Sequence, residues 1–184
     1  MIRALGIGLA ALALGAPLLA QSGEAPAAAP APAPTVTQMR TAEGKDVGTV
    51  TFTQTDHGVL IAVKVQGISP GKHGLHIHQT GACTPDFMAA GGHFNPGNAE
   101  HGFHAPGGYH VGDLPNLDVA ADGTATAEFF VPGVTIKGEV GGHLRHTLSD
   151  QDGSSMMIHA ATDDYKTMAS SGGRFACGVI AAKK

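Results

Sequence analysis

The chain has 184 residues, of which 42% are apolar and only 14% are charged, and its formal net charge is −4. This charge excludes nucleic-acid binding driven by a basic surface, because such binding depends on Lys and Arg side chains that neutralise phosphates. The chain also has 27 glycines, and its 11 histidines equal its 11 Lys and Arg residues, a composition that indicates loops and metal binding.

The N-terminal segment predicts export. Arg3 precedes an apolar run that extends to Ala20 without an acidic residue, which is typical of a secretory signal peptide. The run is short for a membrane span, which needs about 20 apolar residues, and no cysteine follows it that could carry a lipid. We therefore expect no stable membrane anchor, and a mature protein that is periplasmic or extracellular.

Residues 1–20 are the predicted signal peptide, with cleavage after Ala20 and cleavage after Ala27 as the alternative. Residues 21–34 alternate Ala with Pro, a composition that cannot pack a core and favours extended polyproline II structure. We interpret this segment as a linker that precedes the folded domain.

Residues 35–184 are predicted to form one domain in which the hydrophobic pattern has a period of two. Turns such as Thr55–Gly58 and Asp122-Gly123 separate eight runs that are alternating or β-branched. These runs cover residues 36–39, 48–55, 59–65, 73–78, 117–120, 124–131, 156–160 and 176–181. No segment is convincingly helical, so we predict an all-β, antiparallel sandwich or flattened barrel.

One segment, residues 79–116, is too long and irregular for an ordinary connection between strands. It contains one cysteine, several histidines and one aspartate that could tie it down: Cys83, His93, His101, His104, His110 and Asp113. Because an oxidising compartment favours disulfides, we expect Cys83 to pair with Cys177, with two buried free thiols as the alternative.

His76 and His78 are two residues apart on a predicted strand, so their rings point to the same face, about 6 to 7 Å apart. Both rings could bind one metal, and a polar strand face is the alternative. Three imidazoles and a carboxylate suit a closed tetrahedral zinc site, and the loop offers His93, His101, His110 and Asp113. Four imidazoles suit copper, and the fourth candidate is His159 at the end of an apolar strand.

Four motifs in chain order resemble the copper, zinc superoxide dismutase family, and the likeness extends over essentially all of residues 35–184. The motifs are Gly74–His78, Ala90–Pro96, His110–Leu114 and Gly173–Ile180. The resemblance implies an eight-stranded antiparallel Greek-key barrel with long metal-binding loops. It also implies one copper ion and one zinc ion per subunit, with superoxide as the substrate.

The resemblance implies two ligand sets that share one histidine. The implied copper ligands are His76, His78, His93 and His159. The implied zinc ligands are His93, His101, His110 and Asp113. His93 would then bridge the two metals as an imidazolate, and it would carry a proton while copper cycles between Cu(II) and Cu(I). The implied products are dioxygen and hydrogen peroxide.

Two further residues have roles under this resemblance. Arg174 would hold the superoxide anion near copper, with an ordinary surface arginine as the alternative. Because the net charge is negative, attraction of the anion would depend on a local patch of metal, Arg174 and Lys166. Asp163 would hydrogen-bond one copper histidine and one zinc histidine, with Asp164 or a solvated acidic pair as the alternatives.

The other histidines have structural or open roles. His104 competes with His101 as the zinc ligand, and spacing favours His101. We expect His73 to face away from copper and to make structural hydrogen bonds. His57 lies in a turn, and His143 and His146 lie in a glycine-rich stretch that indicates a solvated loop, with weak metal binding as the alternative.

Two other functions compete with an active dismutase. A related but catalytically silent metal-binding or copper-handling domain would be expected to have lost a copper ligand or Arg174, and none is missing. A secreted zinc hydrolase needs an open zinc position and a general base, whereas the candidate zinc set is already full and no His-Glu-x-x-His motif occurs. Either a monomer or a homodimer is compatible with the sequence.

Overall fold

Seven antiparallel strands form one curled sheet that makes a half-barrel. The structure is a computed structural model, and it describes residues 32–182 and residue 184. The predicted signal peptide, both candidate cleavage positions and most of the predicted linker lie outside these residues. All described residues belong to one compact unit.

The strands are β1 Thr35–Thr41, β2 Asp46–Thr55, β3 Gly58–Val65, β4 Gly71–His73, β5 Leu75–His78, β6 Leu117–Val119, β7 Ala125–Pro132, β8 Val134–Thr135, β9 His146–Thr147, β10 Ser154–His159 and β11 Arg174–Ala181. The main sheet has the order β5-β10-β11-β1-β2-β3-β7, while β4 pairs with β6, and β8 pairs with β9 in parallel. One turn of 3₁₀ helix, Phe87–Ala90, lies in the loop after β5. The predicted all-β barrel fold is therefore confirmed.

Alternation along the strands builds the core. In β3, Val59, Ile61, Val63 and Val65 are buried, and the residues between them are exposed. Such a strand covers the core with one face and meets water with the other. The hydrophobic period of two therefore decides which side chains fill the half-barrel.

The predicted strand over residues 73–78 differs from the structure, because the strand is interrupted at Gly74. Residues before the break form β4 and pair with β6, whereas residues after it form β5 and pair with β10. A Cβ atom at Gly74 would lie 2.6 Å from the Cβ of Ser171, so the position has no room for a larger residue. The break puts β5 at one end of the main sheet.

The long loop folds back along the free edge of β5. The Phe94 N–H donates to the Ile77 carbonyl, and the Ile77 N–H donates to the Gly112 carbonyl, each at 2.8 Å. These bonds bring His93 opposite His78, and Asp113 opposite His76. The irregular segment is thus held against the strand that carries the first histidine pair.

A disulfide between Cys83 and Cys177 ties the start of this loop to β11, as the sequence predicted. The two cysteines are 94 residues apart in the chain. Cys177 is buried, and it packs with Ala90 and Met157 under the loop. Within residues 32–182, no helix is long and apolar enough to cross a bilayer.

Candidate metal centre

Two buried clusters of potential metal ligands lie side by side between β5, β10 and the long loop. The four-histidine cluster consists of His76, His78, His93 and His159. The histidine–aspartate cluster consists of His93, His101, His110 and Asp113. Within each cluster the potential ligand atoms all lie within 4.8 Å of one another.

The strands and a bulge position the four-histidine cluster. His76 and His78 lie on the same face of β5 with ring centroids 6.4 Å apart, in agreement with the strand geometry expected from the sequence. His159 ends β10 at a register shift, where it pairs with Arg174 after Ile158 has paired with Ala176. Bulges of this kind re-aim a side chain at the end of a strand, and this one turns the His159 ring toward His76 and His78.

One nitrogen of His76 has no partner although it is buried. The ring donates Nε2–H to Oδ2 of Asp163 at 2.7 Å, so we assign the lone pair to Nδ1. Nδ1 is one of two buried side-chain polar atoms in the described part of the chain that lack a hydrogen bond, the other being Thr41 Oγ1. An unpaired buried nitrogen costs stability unless another group binds it.

The nitrogens of His78 and His159 face each other. The Nδ1 atom of His78 contacts the Gly91 carbonyl at 3.0 Å, and Nδ1 of His159 contacts the Gly172 carbonyl at 3.4 Å. Both Nδ1 atoms are therefore donors, and the two Nε2 atoms, 3.4 Å apart, both present lone pairs. Two facing lone pairs together with the free Nδ1 of His76 suit a transition-metal ion that binds imidazole, such as copper.

The histidine–aspartate cluster has the dimensions of a tetrahedral cage. Oδ1 of Asp113 lies 2.7, 3.3 and 3.2 Å from the Nδ1 atoms of His93, His101 and His110, and the last lies 3.3 Å from Nδ1 of His93. Four donors about 2.0 to 2.1 Å from a zinc ion would be about 3.3 Å apart. The three nitrogens and one oxygen therefore suit zinc.

His93 belongs to both clusters. Its Nδ1 faces Asp113 and His110, and its ring centroid lies 4.0 Å from His76 and 5.0 Å from His78. Because Nδ1 of His93 points into the histidine–aspartate cluster, Nε2 is the nitrogen available to the four-histidine cluster. No second imidazole is placed in this way among the described residues.

Asp163 connects the clusters from the opposite side. Oδ2 accepts from Nε2 of His76, and Oδ1 accepts from Nε2 of His101 at 3.1 Å. The side chain of Asn116 holds the Asp163 backbone at both its N–H and its carbonyl. Asp164, the alternative in the sequence, is exposed and accepts backbone N–H groups of its own turn.

Arg174 is half-buried beside the four-histidine cluster. Its guanidinium donates to the Phe87 carbonyl and, at 2.6 Å, to the Gly91 carbonyl. The Gly91 carbonyl also accepts from His78, so the cation and this ring share one acceptor. Burial lowers the pKa of Arg174, but a guanidinium keeps its positive charge in proteins.

Burial keeps three rings of the four-histidine cluster neutral, those of His76, His78 and His159. Desolvation lowers the pKa of His76 to about 4, of His78 to about 2 and of His159 to about 3. Burial alone would raise the pKa values of Asp113 and Asp163, but hydrogen bonds from histidines and backbone N–H groups lower both below the ordinary range. Neutral imidazoles and ionised carboxylates are the forms that bind metal.

The structure also locates the remaining candidates. His104 is exposed and outside both clusters, whereas His101 belongs to the histidine–aspartate cluster. His73 is buried, and its Nδ1 contacts the His159 carbonyl at 2.7 Å, in keeping with a structural role. Lys166 is exposed and shares a cleft with His101 and His110. The sequence analysis missed Asn116 and the Gly91 carbonyl, for which no residue spacing gave a signal.

Comparison with known proteins gives consistent matches. A sequence model of the family Copper/zinc superoxide dismutase (SODC) matches residues 47–180. A Cu-Zn superoxide dismutase of Caulobacter vibrioides is 46% identical over 146 residues, which cover 77% of this chain and 82% of the relative. The superoxide dismutase-like protein YojM of Bacillus subtilis is 43% identical and covers 78% of this chain and 74% of its own.

Solved structures match as well. The crystal structure of a SOD-like protein from Bacillus subtilis has a TM-score of 0.72 and 40% identity, covering 79% of this chain and 97% of its own. The Cu/Zn superoxide dismutase from Brucella abortus has a TM-score of 0.64 and 32% identity, covering 80% and 99%.

Proposed function

The chain belongs to the copper/zinc superoxide dismutase family, and on that premise we propose that the two buried clusters are its copper and zinc sites. As a member, it is an oxidoreductase that disproportionates superoxide and uses one copper and one zinc ion per subunit. The proposed copper ligands are His76, His78, His93 and His159. The proposed zinc ligands are His93, His101, His110 and Asp113.

The shared position of His93 carries this proposal. A ring whose Nδ1 lies in a zinc-sized cage and whose other nitrogen faces three imidazoles is suited to bridge two cations. The unpartnered Nδ1 of buried His76 supports the same assignment, because a cation in the four-histidine cluster would satisfy it.

Copper held by the four-histidine cluster would supply a Cu(II)/Cu(I) couple, which can oxidise one superoxide to dioxygen and reduce a second superoxide, with two protons, to hydrogen peroxide. His93 can hold one of these protons at Nε2, because its Nδ1 is engaged by Asp113 and the ring stays in place. Arg174 holds the superoxide anion through its fixed positive charge, since its contacts with backbone carbonyls keep the guanidinium beside His78. Asp163 fixes the rings of His76 and His101 in the tautomers that present Nδ1.

Metal analysis of the purified protein together with a superoxide-consumption assay tests the proposal. His159→Ala should lose copper and activity but keep zinc, because His159 belongs only to the four-histidine cluster. His104→Ala is the matched control: it removes an exposed imidazole outside both clusters and should keep both metals and full activity. Wild-type protein that binds zinc but no copper, and leaves superoxide untouched, would instead indicate the catalytically silent metal-binding or copper-handling domain.

The sequence-based predictions of export and of a possible homodimer extend this proposal to the cell. An exported dismutase would meet superoxide in the periplasm or outside the cell, and the Cys83–Cys177 disulfide fits an oxidising compartment. N-terminal sequencing of the mature protein tests cleavage after Ala20 against cleavage after Ala27. Light scattering distinguishes a monomer from a dimer.

A further inference from the structure

Three histidines outside the two clusters line one surface cleft of about 360 Å³. His57 lies in the turn between β2 and β3. His143 lies in the glycine-rich segment between β8 and β9, and His146 is the first residue of β9. Arg145 lies on the same cleft. We call this the surface histidine cleft.

Backbone hydrogen bonds hold the two parts of the cleft together. The Gly133 N–H donates to the His57 carbonyl at 2.8 Å. The Gly133 carbonyl accepts from the N–H groups of Arg145 and His146, at 2.7 and 3.1 Å. The side chains of His57 and His143 therefore meet because one glycine connects their loops, although they are far apart in the chain.

The rings of His57 and His143 have the spacing of a ligand pair. Their centroids are 4.9 Å apart in an edge-to-face arrangement, and both residues are exposed. Ring pairs within the two buried clusters are 4.0 to 6.4 Å apart. Neither ring is hydrogen-bonded to another residue in the part of the chain that the structure describes, so their nitrogens are available to a ligand.

We propose that His57 and His143 bind a divalent transition-metal ion at the surface, with water completing the coordination. His146 does not form a compact three-residue donor set with them, so the minimal site has two imidazoles. With imidazole ligands the affinity should follow the general order for divalent metals, with Cu²⁺ above Ni²⁺ and Zn²⁺, and Mn²⁺ weakest. A bound ion would also link the β2–β3 turn to the glycine-rich loop.

Arg145 separates this proposal from the main alternative. Its positive charge repels a cation but would strengthen an anion site made of the same histidines. Arg145→Gln should therefore leave Cu²⁺ binding intact or make it tighter. If the cleft bound anions, the same substitution would weaken the binding of inorganic phosphate and leave Cu²⁺ unaffected.

The test is titration with Cu²⁺ of tag-free protein that already holds its interior copper and zinc. Equilibrium dialysis and electron paramagnetic resonance should reveal one further equivalent of Cu²⁺ with its own signal. The double variant His57→Gln/His143→Gln should bind this equivalent at least about tenfold more weakly. His104→Gln, which removes another exposed imidazole, should bind it as wild type does.

Thermal unfolding gives a second readout, because Cu²⁺ that binds nonspecifically elsewhere on the surface would affect the wild type and the double variant equally. Added Cu²⁺ should raise the unfolding midpoint of the wild type, because an ion that binds only the folded state stabilises it, and should not raise that of the double variant. Both substituted residues are exposed, so the variant should keep its interior metals and its circular dichroism spectrum. The proposal is overturned if no further equivalent of Cu²⁺ binds, if the double variant binds it with wild-type affinity, or if Arg145→Gln weakens the binding of Cu²⁺.

Discussion

The Nε2 atom of His76 lies 2.7 Å from Oδ2 of Asp163, and both side chains are almost fully buried, with exposed fractions of 0% and 1%. This contact keeps the His76 proton on Nε2 and turns Nδ1 toward the other imidazoles of the four-histidine cluster. Because the second oxygen of Asp163 accepts from His101, one carboxylate orients a ring in each cluster.

Asp163→Asn should weaken the binding of both metals while leaving every proposed ligand in place. An amide keeps the size of the side chain but loses its negative charge and can accept from only one of the two rings. Loss of such an outer hydrogen bond lowers metal affinity about 10- to 100-fold. Competition with chelators of known affinity measures the effect for copper and zinc separately.

Asp164→Asn is the control for that substitution, since Asp164 is adjacent, exposed and directed to its own turn. It should change neither affinity. Equal losses in the two variants would mean that the charge of the segment, and not the position of Asp163, governs metal binding.

Arg174→Ala should keep both metals but react more slowly with superoxide. The guanidinium and the His78 ring share the Gly91 carbonyl, so Arg174 is a fixed positive charge beside the four-histidine cluster, and its removal eliminates local attraction of the anion. We expect the rate constant to fall about tenfold at low ionic strength and to depend less on salt than that of the wild type. Stopped-flow measurements over a range of salt concentrations test both effects.

Arg40→Ala is the matched control, because Arg40 is an exposed arginine on β1 and changes the net charge by the same amount. If the rate constant for superoxide fell equally in both variants, the overall charge of the protein would explain the effect, and the role proposed for Arg174 would be wrong.

Removal of the disulfide should destabilise the fold and loosen the copper side of the centre. Cys83 lies in the segment that continues into the 3₁₀ helix Phe87–Ala90 and Gly91, whose carbonyls hold Arg174 and His78. Cys83→Ser/Cys177→Ser should lose about 2 to 5 kcal/mol of unfolding free energy, measured by urea denaturation. Its copper affinity should fall more than its zinc affinity, and equal losses would contradict this coupling.

The sequence predicted the strands well because most of them alternate on a barrel with one buried face. It could not predict the break at Gly74, because Leu75, His76, Ile77 and His78 are all buried and show no alternation. β5 lies under the long loop, so both of its faces are covered. His73 therefore lies on a different strand from His76 and His78, and its Nδ1 contacts the His159 carbonyl, a structural role that the sequence predicted.

Motifs in the sequence were enough to propose the ligand positions, but the choice between neighbouring candidates depends on the tertiary structure. Asp163 and Asp164 are adjacent in sequence, but the side chain of Asn116 holds the Asp163 backbone, and the Asp163 carboxylate accepts from the Tyr165 N–H and the Ser170 hydroxyl, so that it points inward. In the same way, His101 is buried and His104 exposed because Gly102, between them, packs directly against the Tyr165 backbone. In both cases, contacts between segments that are distant in sequence determine which residue faces the clusters, and residue spacing alone does not predict such contacts.

The metal-free protein should lose stability steeply as the pH falls below about 6.5, the ordinary pKa of histidine in an unfolded chain. Burial holds the pKa values of His76, His159 and His78 at about 4, 3 and 2 in the folded state. Between pH 6.5 and 4 the unfolded chain therefore binds protons that the folded chain excludes, so the stability present above pH 6.5 is lost as the pH falls. Each ring contributes a slope of up to about 1.4 kcal/mol per pH unit.

Urea unfolding of the metal-free protein at pH 7.5, 6 and 5 measures this slope. His78→Gln should reduce this slope by up to about 1.4 kcal/mol per pH unit, because the variant has one buried titratable ring fewer. His104→Gln, which removes an exposed histidine, should leave the slope unchanged. A stability that is flat from pH 7.5 to 5 would mean that the folded metal-free protein admits protons to these rings. Burial would then not explain why the rings of His76, His78 and His159 are neutral and able to bind a cation.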